Sequence, residues 1–197
     1  KIVDHCLKKN IEFLSSAFDI KTLEYLFQLG IKRIKIPSGE ITNLPYLEKA
    51  ASFSIPIIVS TGMSNMEEIN DCYNTLKYSG ATNEMLTFLH CTSNYPAELT
   101  SINLNAMNEI KNIFDVKIGY SDHSSVNDTS IAAVALGASI IEKHLTLDKT
   151  LEGPDHKASS EPHEFLELVN SIRNVEKILG DTNKVANPNE VENAQLL

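Results

Sequence analysis

The sequence predicts an α/β fold in which parallel strands alternate with helices, and a (β/α)8 barrel is the favoured architecture. Six short apolar runs recur about every 22 to 30 residues, and helix-like segments separate them. Small polar residues follow every run, which is typical of a barrel because all its strand ends converge on one site. No GxGxxG or GxxxxGK[ST] motif points to an open nucleotide-binding sheet.

The elements follow one another regularly along the chain. The runs predicted as strands are, in order, "IEFLSSAFD", "RIKIPSGE", "PIIVSTGMS", "LTFLHCTSNYP", "VKIGYSDHS" and "SIIEKHLTLD". The predicted helices are 21–29, 43–52, 66–78, 103–113 and 127–136, and apolar residues at helical spacing predict a last one over 162–179. A glycine follows several helices, where a left-handed C-cap favours that residue; these are Gly30, Gly80, Gly137 and Gly180.

Six strand–helix units are two fewer than a complete barrel contains. We therefore expect about two βα units to be missing ahead of the first run. Residues 1–180 are predicted to form a partial TIM-barrel catalytic domain. The polar segment 181–197 is predicted to be a linker toward a missing C-terminal domain, with a frayed terminus as the alternative.

Composition restricts the class of protein. The net charge of −9 argues against a nucleic-acid partner, since phosphate backbones are bound by basic surfaces. No run approaches the roughly 18 to 20 apolar residues of a membrane span, and the first ten residues do not resemble a secretory signal. The three cysteines are widely spaced and include no CxxC, which indicates a reducing cytoplasm.

Two consecutive apolar runs each end in a histidine, His123 and His144. Adjacent barrel strands lie about 4.8 Å apart, so two imidazoles at neighbouring strand ends can reach one ion. A lone histidine is more often a hydrogen-bonded core residue, but the pair favours a metal site with open positions for substrate and water. Asp122 and Asp155 are nearby carboxylates that could orient a ring or a metal-bound water.

The stretch "KIPSGE" has the composition of a small-anion site. Lys35, Ser38 and exposed backbone N–H groups would suit a phosphate, whereas a plain βα turn is the equally weighted alternative. Ser60 and Ser93 follow later runs in the same way, although serine is also a common helix cap. Cys91 beside His90 is discounted as a nucleophile pair, because neighbouring strand residues point to opposite faces.

Several of these stretches together resemble one enzyme family. They are "KIPSGEITNLPYLEKAA", "PIIVSTGM", "LHCTSNYPAE", "GYSDHS", "IIEKHLTLD" and "EGPDHKASSEPHEF". In this order they are similar to the sialic acid synthases, the N-acetylneuraminate synthase family, which includes legionaminic and pseudaminic acid synthases. The likeness runs from about residue 13 to residue 180. It implies a (β/α)8 barrel followed by a small antifreeze-like domain, which is absent from this sequence.

The resemblance implies condensation of phosphoenolpyruvate with an N-acylated hexosamine such as N-acetylmannosamine, giving a nine-carbon 2-keto acid and phosphate. It assigns a divalent ion, Mn or Mg, to His123 and His144. It assigns a sugar-side and water-orienting group to Tyr95, Glu40 and Asp155. Phosphoenolpyruvate would be bound by Lys35, Ser38, Ser60, Ser93 and Ser121, although the family often has asparagine at the position of Ser93.

The resemblance also implies a glutamate on the first strand and a lysine on the second, neither of which is in this sequence. It implies a cytoplasmic homodimer in which the C-terminal domain covers the partner's barrel. One alternative is another phosphoenolpyruvate–sugar condensing synthase, which would need an Arg- and Lys-rich second phosphate site; Arg33 and Arg173 are the only arginines. The other alternative is a non-catalytic barrel that binds sugar phosphates.

Overall fold

Parallel strands that follow one another in chain order form the centre of the molecule. The computed structural model describes residues 1–187 and 190–191. Its five-stranded sheet has the order β1-β2-β3-β4-β5, and every neighbouring pair is parallel. A doubly wound sheet reverses its order at a switch point, so the unbroken order is that of a barrel. The strands are β1 (Ile34–Ile36), β2 (Ile57–Ser60), β3 (Leu86–Cys91), β4 (Lys117–Asp122) and β5 (Ile141–Lys143).

The helices connect these strands and pack on one face of the sheet. No helix within the described ranges is long and apolar enough to cross a lipid bilayer. The six predicted helices lie within a few residues of their predicted bounds, and both 66–78 and 162–179 are confirmed at both ends, whereas the first helix, Ile2–Lys8, is not among the six that were predicted. The helices are α1 (Ile2–Lys8), α2 (Ile20–Gln28), α3 (Leu44–Ser52), α4 (Met66–Tyr78), α5 (Ala106–Phe114), α6 (Asp128–Ala135) and α7 (Pro162–Leu179).

The first predicted strand is the main departure from the sequence prediction. In "IEFLSSAFD" only Ser16 pairs with the sheet, through a parallel bridge to Lys35 of β1. The hydroxyl of Tyr46 donates to the carbonyl of Ala17 at 2.9 Å and holds the same segment against α3. An apolar run forms a strand only where an adjacent strand pairs with it through backbone hydrogen bonds. This run pairs with β1 at a single residue.

Glycine ends four helices as predicted. Gly30, Gly80, Gly137 and Gly180 have φ values of +83°, +103°, +98° and +57°. Residues 181–187 are exposed and contain no helix or strand, while the rest of the predicted linker includes positions outside the described residues.

Alternation along the strands separates an apolar face from a polar one. Ile36, Val59, Phe88 and Ile118 belong to the main hydrophobic core between sheet and helices. Side chains of a strand alternate between its faces, so the residues between them point to the other side. That inner face carries the residues that build the site described below.

Gly119 on β4 has no room for a side chain. A Cβ at this position would lie 2.5 Å from the carbonyl oxygen of Ile140 and 2.5 Å from Cδ2 of Leu89. We expect Gly119→Ala to lower the free energy of unfolding by about 1–3 kcal/mol, the usual cost of overpacking. Urea unfolding measures this difference. Gly39→Ala is the control, since a Cβ there has no atom within 4 Å; equal losses in both variants would contradict the explanation.

Candidate functional site

A cavity of about 650 Å³ opens at the carboxyl ends of the strands. Parallel strands all end at this edge, so the first residues after each strand meet there. Eight of the ten side chains predicted as site residues line the cavity: Lys35, Ser38, Ser60, Ser93, Tyr95, Ser121, His123 and His144. Glu40 and Asp155 are not among the lining residues.

One side of the cavity carries a buried ammonium group. Lys35 points inward from β1, is 7% exposed, and its Nζ donates to Oγ of Ser60 at 2.7 Å. The sheet register explains why Lys35 and Ser60 are in contact. Lys35 pairs with Ile58, and Ser60 lies two residues farther along β2 on the same face. A buried ammonium group surrounded by hydroxyl groups is suited to a phosphate or carboxylate.

Ser38 and Ser93 meet at Gly62, whose backbone comes unusually close to both. The N–H of Gly62 donates to Oγ of Ser38 at 3.0 Å. A Cβ on Gly62 would lie 2.4 Å from Oγ of Ser93, 2.8 Å from Oγ of Ser38 and 2.8 Å from Sγ of Cys91. Glycine is therefore needed here so that the hydroxyl groups can converge on the cavity.

A methyl group at Gly62 is expected to disturb this arrangement without unfolding the chain. We expect Gly62→Ala to weaken binding of inorganic phosphate in this cavity by about 10-fold or more, since overpacking typically costs about 1–3 kcal/mol and 1.4 kcal/mol corresponds to 10-fold. Titration calorimetry on the full-length protein measures the dissociation constant. Gly39→Ala, beside Ser38 but with open space around its Cβ, is the matched control. Unchanged binding in Gly62→Ala would contradict this account of the site.

Glu142 is a site residue that the sequence reasoning missed. Ser121 donates to its Oε1 at 2.7 Å, and its Oε2 lies 3.5 Å from Nζ of Lys35. The carboxylate therefore lies between the ammonium group and a hydroxyl group, and its charge partly neutralises the ammonium group that an anionic ligand would contact. Its position two residues before His144 on a strand was the available signal, since residues i and i+2 share a face.

His123 is held in one tautomer by the backbone of Thr92, the residue that follows β3. Its Nδ1 lies 2.7 Å from the carbonyl oxygen of Thr92, which can only accept, so Nδ1 carries the proton. Nε2 of the neutral ring then has a free lone pair. Burial lowers the pKa of His123, which favours this neutral form. An imidazole oriented by a backbone carbonyl is a typical metal ligand.

The rings of His144 and Tyr95 both lie next to the ring of His123. The rings of His123 and His144 lie edge to face with centroids 5.3 Å apart, and Tyr95 lies 4.2 Å from His123 and 5.5 Å from His144. Oδ2 of Asp155 is 3.9 Å from Nδ1 of His144. Burial raises the pKa of Tyr95, so its hydroxyl remains protonated.

These residues fit a divalent ion with two protein ligands. Across residues 1–187 and 190–191, no group of three or more His, Cys, Asp or Glu side chains is arranged to hold a metal. His123 and His144 would supply two neutral nitrogens from adjacent strands. Oxygen atoms of a ligand and water would complete the shell, so the site would be open, unlike a closed structural zinc site.

Asp122 does not line the cavity, so the expectation that its carboxylate directly contacts a metal-bound water or a histidine ring there is wrong. It lies between Ser121 and His123 on β4, so its side chain points to the opposite face. There it is completely buried, with Oδ2 3.0 Å from Nζ of Lys143. Burial raises the pKa of Asp122, but the hydrogen bond from Ser130 and the charge of Lys143 hold it below its usual value.

The remaining predicted residues lie at or beyond the edge of the cavity. Glu40 belongs to a short 3-10 turn, and its Oε2 accepts from Nδ2 of Asn43 at 2.6 Å. His90 and Cys91 do point apart as expected: Nε2 of His90 lies 2.6 Å from the carbonyl of Ile102, while Cys91 lines the cavity. Burial raises the pKa of the Cys91 thiol, which disfavours the nucleophilic thiolate.

Comparisons with known proteins agree on the family. The model of the NeuB family matches residues 1–184. The chain is 49% identical over its whole length to an N,N'-diacetyllegionaminic acid synthase from Campylobacter jejuni. It is 47% identical, over 92% of its length, to the Legionella pneumophila protein with the same activity in its name. A crystal structure of N-acetylneuraminic acid (sialic acid) synthetase from Leptospira borgpetersenii with citrate matches 99% of the chain, with TM-score 0.91 and 36% identity.

The matched proteins are longer than this chain. It covers 59% of the Campylobacter protein, 51% of the Legionella protein and 67% of the Leptospira structure. The residues that line the cavity lie within the part of the chain that these proteins match.

Proposed function

Because the chain belongs to the NeuB family, we propose that the full-length protein condenses phosphoenolpyruvate with an N-acylated hexosamine. N-acetylmannosamine or a close relative is the proposed acceptor. The products are a nine-carbon 2-keto sugar acid and inorganic phosphate. The sugar synthases among its relatives support this reaction by their names.

One observation carries the proposal: a single cavity combines an anion half with a histidine half. Lys35 and the surrounding serines form the first half, and His123 with His144 forms the second. Ser121 joins them, since its Oγ lies 2.7 Å from Oε1 of Glu142 and 3.5 Å from Nε2 of His123. A reaction between an anionic phosphate ester and an uncharged carbonyl compound needs these two environments side by side.

In this proposal the anion half binds phosphoenolpyruvate. The ammonium group of Lys35 balances the negative charge, and hydroxyl groups of Ser38, Ser60, Ser93 and Ser121 donate hydrogen bonds. The π electrons of the C2=C3 bond of phosphoenolpyruvate then form a bond from C3 to the aldehyde carbon of the open-chain sugar, and the aldehyde oxygen takes up a proton to become a hydroxyl group. Water adds to C2 and loses a proton, and the C2–O bond to the phosphate breaks, so that C2 of the former enol phosphate becomes a 2-keto group and inorganic phosphate leaves.

The histidine half binds the acceptor in this proposal. His123 and His144 would hold a divalent ion, Mn or Mg, which supplies Lewis-acid polarisation of the sugar aldehyde. Tyr95 stacks on His123 and would orient the sugar, with its protonated hydroxyl as a hydrogen-bond donor. Asp155, beside His144, would position the sugar or water. Glu40 would act from just outside the present cavity.

The proposal extends to the full-length enzyme. Two further βα units would complete the barrel and contribute a glutamate and a lysine to the cavity. An antifreeze-like C-terminal domain would cover the barrel of the partner subunit in a homodimer. We place this enzyme in the cytoplasm.

The experiment is a phosphate-release assay on the full-length protein with phosphoenolpyruvate and N-acetylmannosamine. We expect phosphate and 2-keto acid to appear in equal amounts and only when sugar is present. With oxygen-18 in the bridging position, the label is expected in phosphate, because the C–O bond breaks. Removal of divalent ions with EDTA is expected to stop the reaction, and Mn²⁺ to restore it.

Different results would favour the alternatives. Phosphoenolpyruvate binding without turnover of any N-acylated hexosamine would indicate a non-catalytic barrel. Turnover of a phosphorylated sugar alone would indicate another condensing synthase. The described arginines favour an unphosphorylated acceptor, since Arg33 is paired with Glu12 and Arg173 with Glu176, and neither lines the cavity.

A further inference from the structure

A buried ion pair lies directly behind the two histidines of the site. Asp122 precedes His123 at the end of β4, and Lys143 precedes His144 at the end of β5. The sheet register pairs Asp122 with Lys143, so the next residues, the two histidines, also lie opposite each other. Because side chains alternate, the ion pair lies on the outer face while both imidazoles point into the cavity.

The pair is fully enclosed and fully hydrogen-bonded. The side chains of Asp122 and Lys143 are 0% and 2% exposed, with Nζ 3.0 Å from Oδ2. Oδ2 also accepts from Thr129 at 2.8 Å and Ser130 at 2.6 Å, and Oδ1 accepts from the N–H of Ser124 at 2.8 Å. Nζ of Lys143 donates to the carbonyl oxygen of Ser124 at 2.6 Å.

These bonds hold the backbone on both sides of His123. Asp122 comes before it and Ser124 after it, and both are bonded to the ammonium group of Lys143 on the neighbouring strand. A buried ion pair adds little stability compared with apolar residues of similar volume, because desolvation offsets the attraction. Its role here is to fix geometry, because its hydrogen bonds connect the two segments that carry the histidines and hold them in one relative position.

We propose that Asp122 and Lys143 are positioning residues that hold His123 and His144 at the separation a shared divalent ion requires. The inference rests on the metal site of the proposed function. The opposite charges cancel each other, so the pair orients the imidazoles without adding net charge near the ion. Partners outside the ligand shell typically contribute 10- to 100-fold to metal affinity, and this pair acts through the backbone in the same way.

The test replaces both charges with apolar side chains in the full-length protein. The double variant Asp122→Leu/Lys143→Met leaves no unpaired buried charge. Titration calorimetry with Mn²⁺ is expected to show a dissociation constant about 10- to 100-fold higher than in the wild type. Binding of phosphoenolpyruvate without metal, measured in the same way, is expected to change by less than about 2-fold, which is under 0.5 kcal/mol. A general loss of structure would weaken both.

A matched control removes an ion pair elsewhere. Nζ of Lys49 on α3 lies 2.6 Å from Oε1 of Glu24 on α2, away from the cavity. Glu24→Leu/Lys49→Met is expected to leave the Mn²⁺ dissociation constant unchanged. If thermal melting shows that the Asp122→Leu/Lys143→Met variant does not fold, Asp122→Asn/Lys143→Met decides, because it removes both charges and the bond between the two side chains, while an amide oxygen can still accept from Thr129 and Ser130.

The outcomes separate this inference from the proposed function. Wild-type Mn²⁺ affinity in a folded variant overturns the positioning role, and so does an equal loss of Mn²⁺ and phosphoenolpyruvate binding. His123→Ala tests the metal site itself. If the wild type binds no Mn²⁺, or binding survives in His123→Ala, the two-histidine site is overturned and this inference with it.

Discussion

Replacing His123 with alanine is expected to abolish binding of a divalent ion and to lower kcat of the full-length protein by about 10³-fold or more. Lewis-acid stabilisation of a carbonyl is worth several kcal/mol, and each 1.36 kcal/mol corresponds to 10-fold in rate. The expected loss is this large because the described site offers two imidazoles and no third ligand among residues 1–187 and 190–191. Without one of them, the other cannot hold the ion.

The measurement combines Mn²⁺ titration with steady-state kinetics. His163→Ala is the matched control, because this histidine lies on α7 with a side chain 69% exposed and does not line the cavity. It is expected to leave both quantities unchanged. Activity of His123→Ala within 10-fold of the wild type would contradict the role of this residue in the proposed mechanism.

Lys35→Met is expected to raise the KM for phosphoenolpyruvate by about 100-fold and to change the KM for the sugar little. A hydrogen bond to a charged group contributes about 1.5–3 kcal/mol, and 100-fold corresponds to 2.7 kcal/mol. The buried ammonium group also balances the carboxylate of Glu142, 3.5 Å away. Without Lys35 that carboxylate would repel the incoming phosphate, which adds to the loss.

Kinetics with each substrate varied in turn separates the two effects. Lys32→Met is the control, since Lys32 is exposed three residues earlier and lies outside the cavity lining. Methionine has a similar length, so both variants lose the charge and keep most of the side-chain volume. If the KM for the sugar rose alone in Lys35→Met, the assignment of Lys35 to the phosphate would be wrong.

The sequence by itself determined the α/β class, the helices α2 to α7 and five of the six predicted strands. Hydrophobic periodicity and glycine at helix ends carry this information locally, so α4 and α7 could be read directly from the chain. The period of two along a strand also placed Ser121 and His123 on one face. Polar residues at the ends of successive strands were sufficient to indicate one shared cavity, because parallel strands end at the same edge.

Only the tertiary structure decided how these residues meet. The segment ending at Ser16 lacks a ladder, because strand formation depends on a neighbour that a local pattern does not contain. The structure adds Glu142 to the predicted site residues and places Asp122 outside the cavity. Neither could be predicted, because the partner of each carboxylate, Lys35 or Lys143, lies on another strand. The close approach of Gly62 to Ser38 and Ser93, and the tautomer of His123, depend likewise on contacts between residues at least 24 positions apart. Sequence spacing cannot specify such distances, because register and strand packing set them only when the whole sheet has formed.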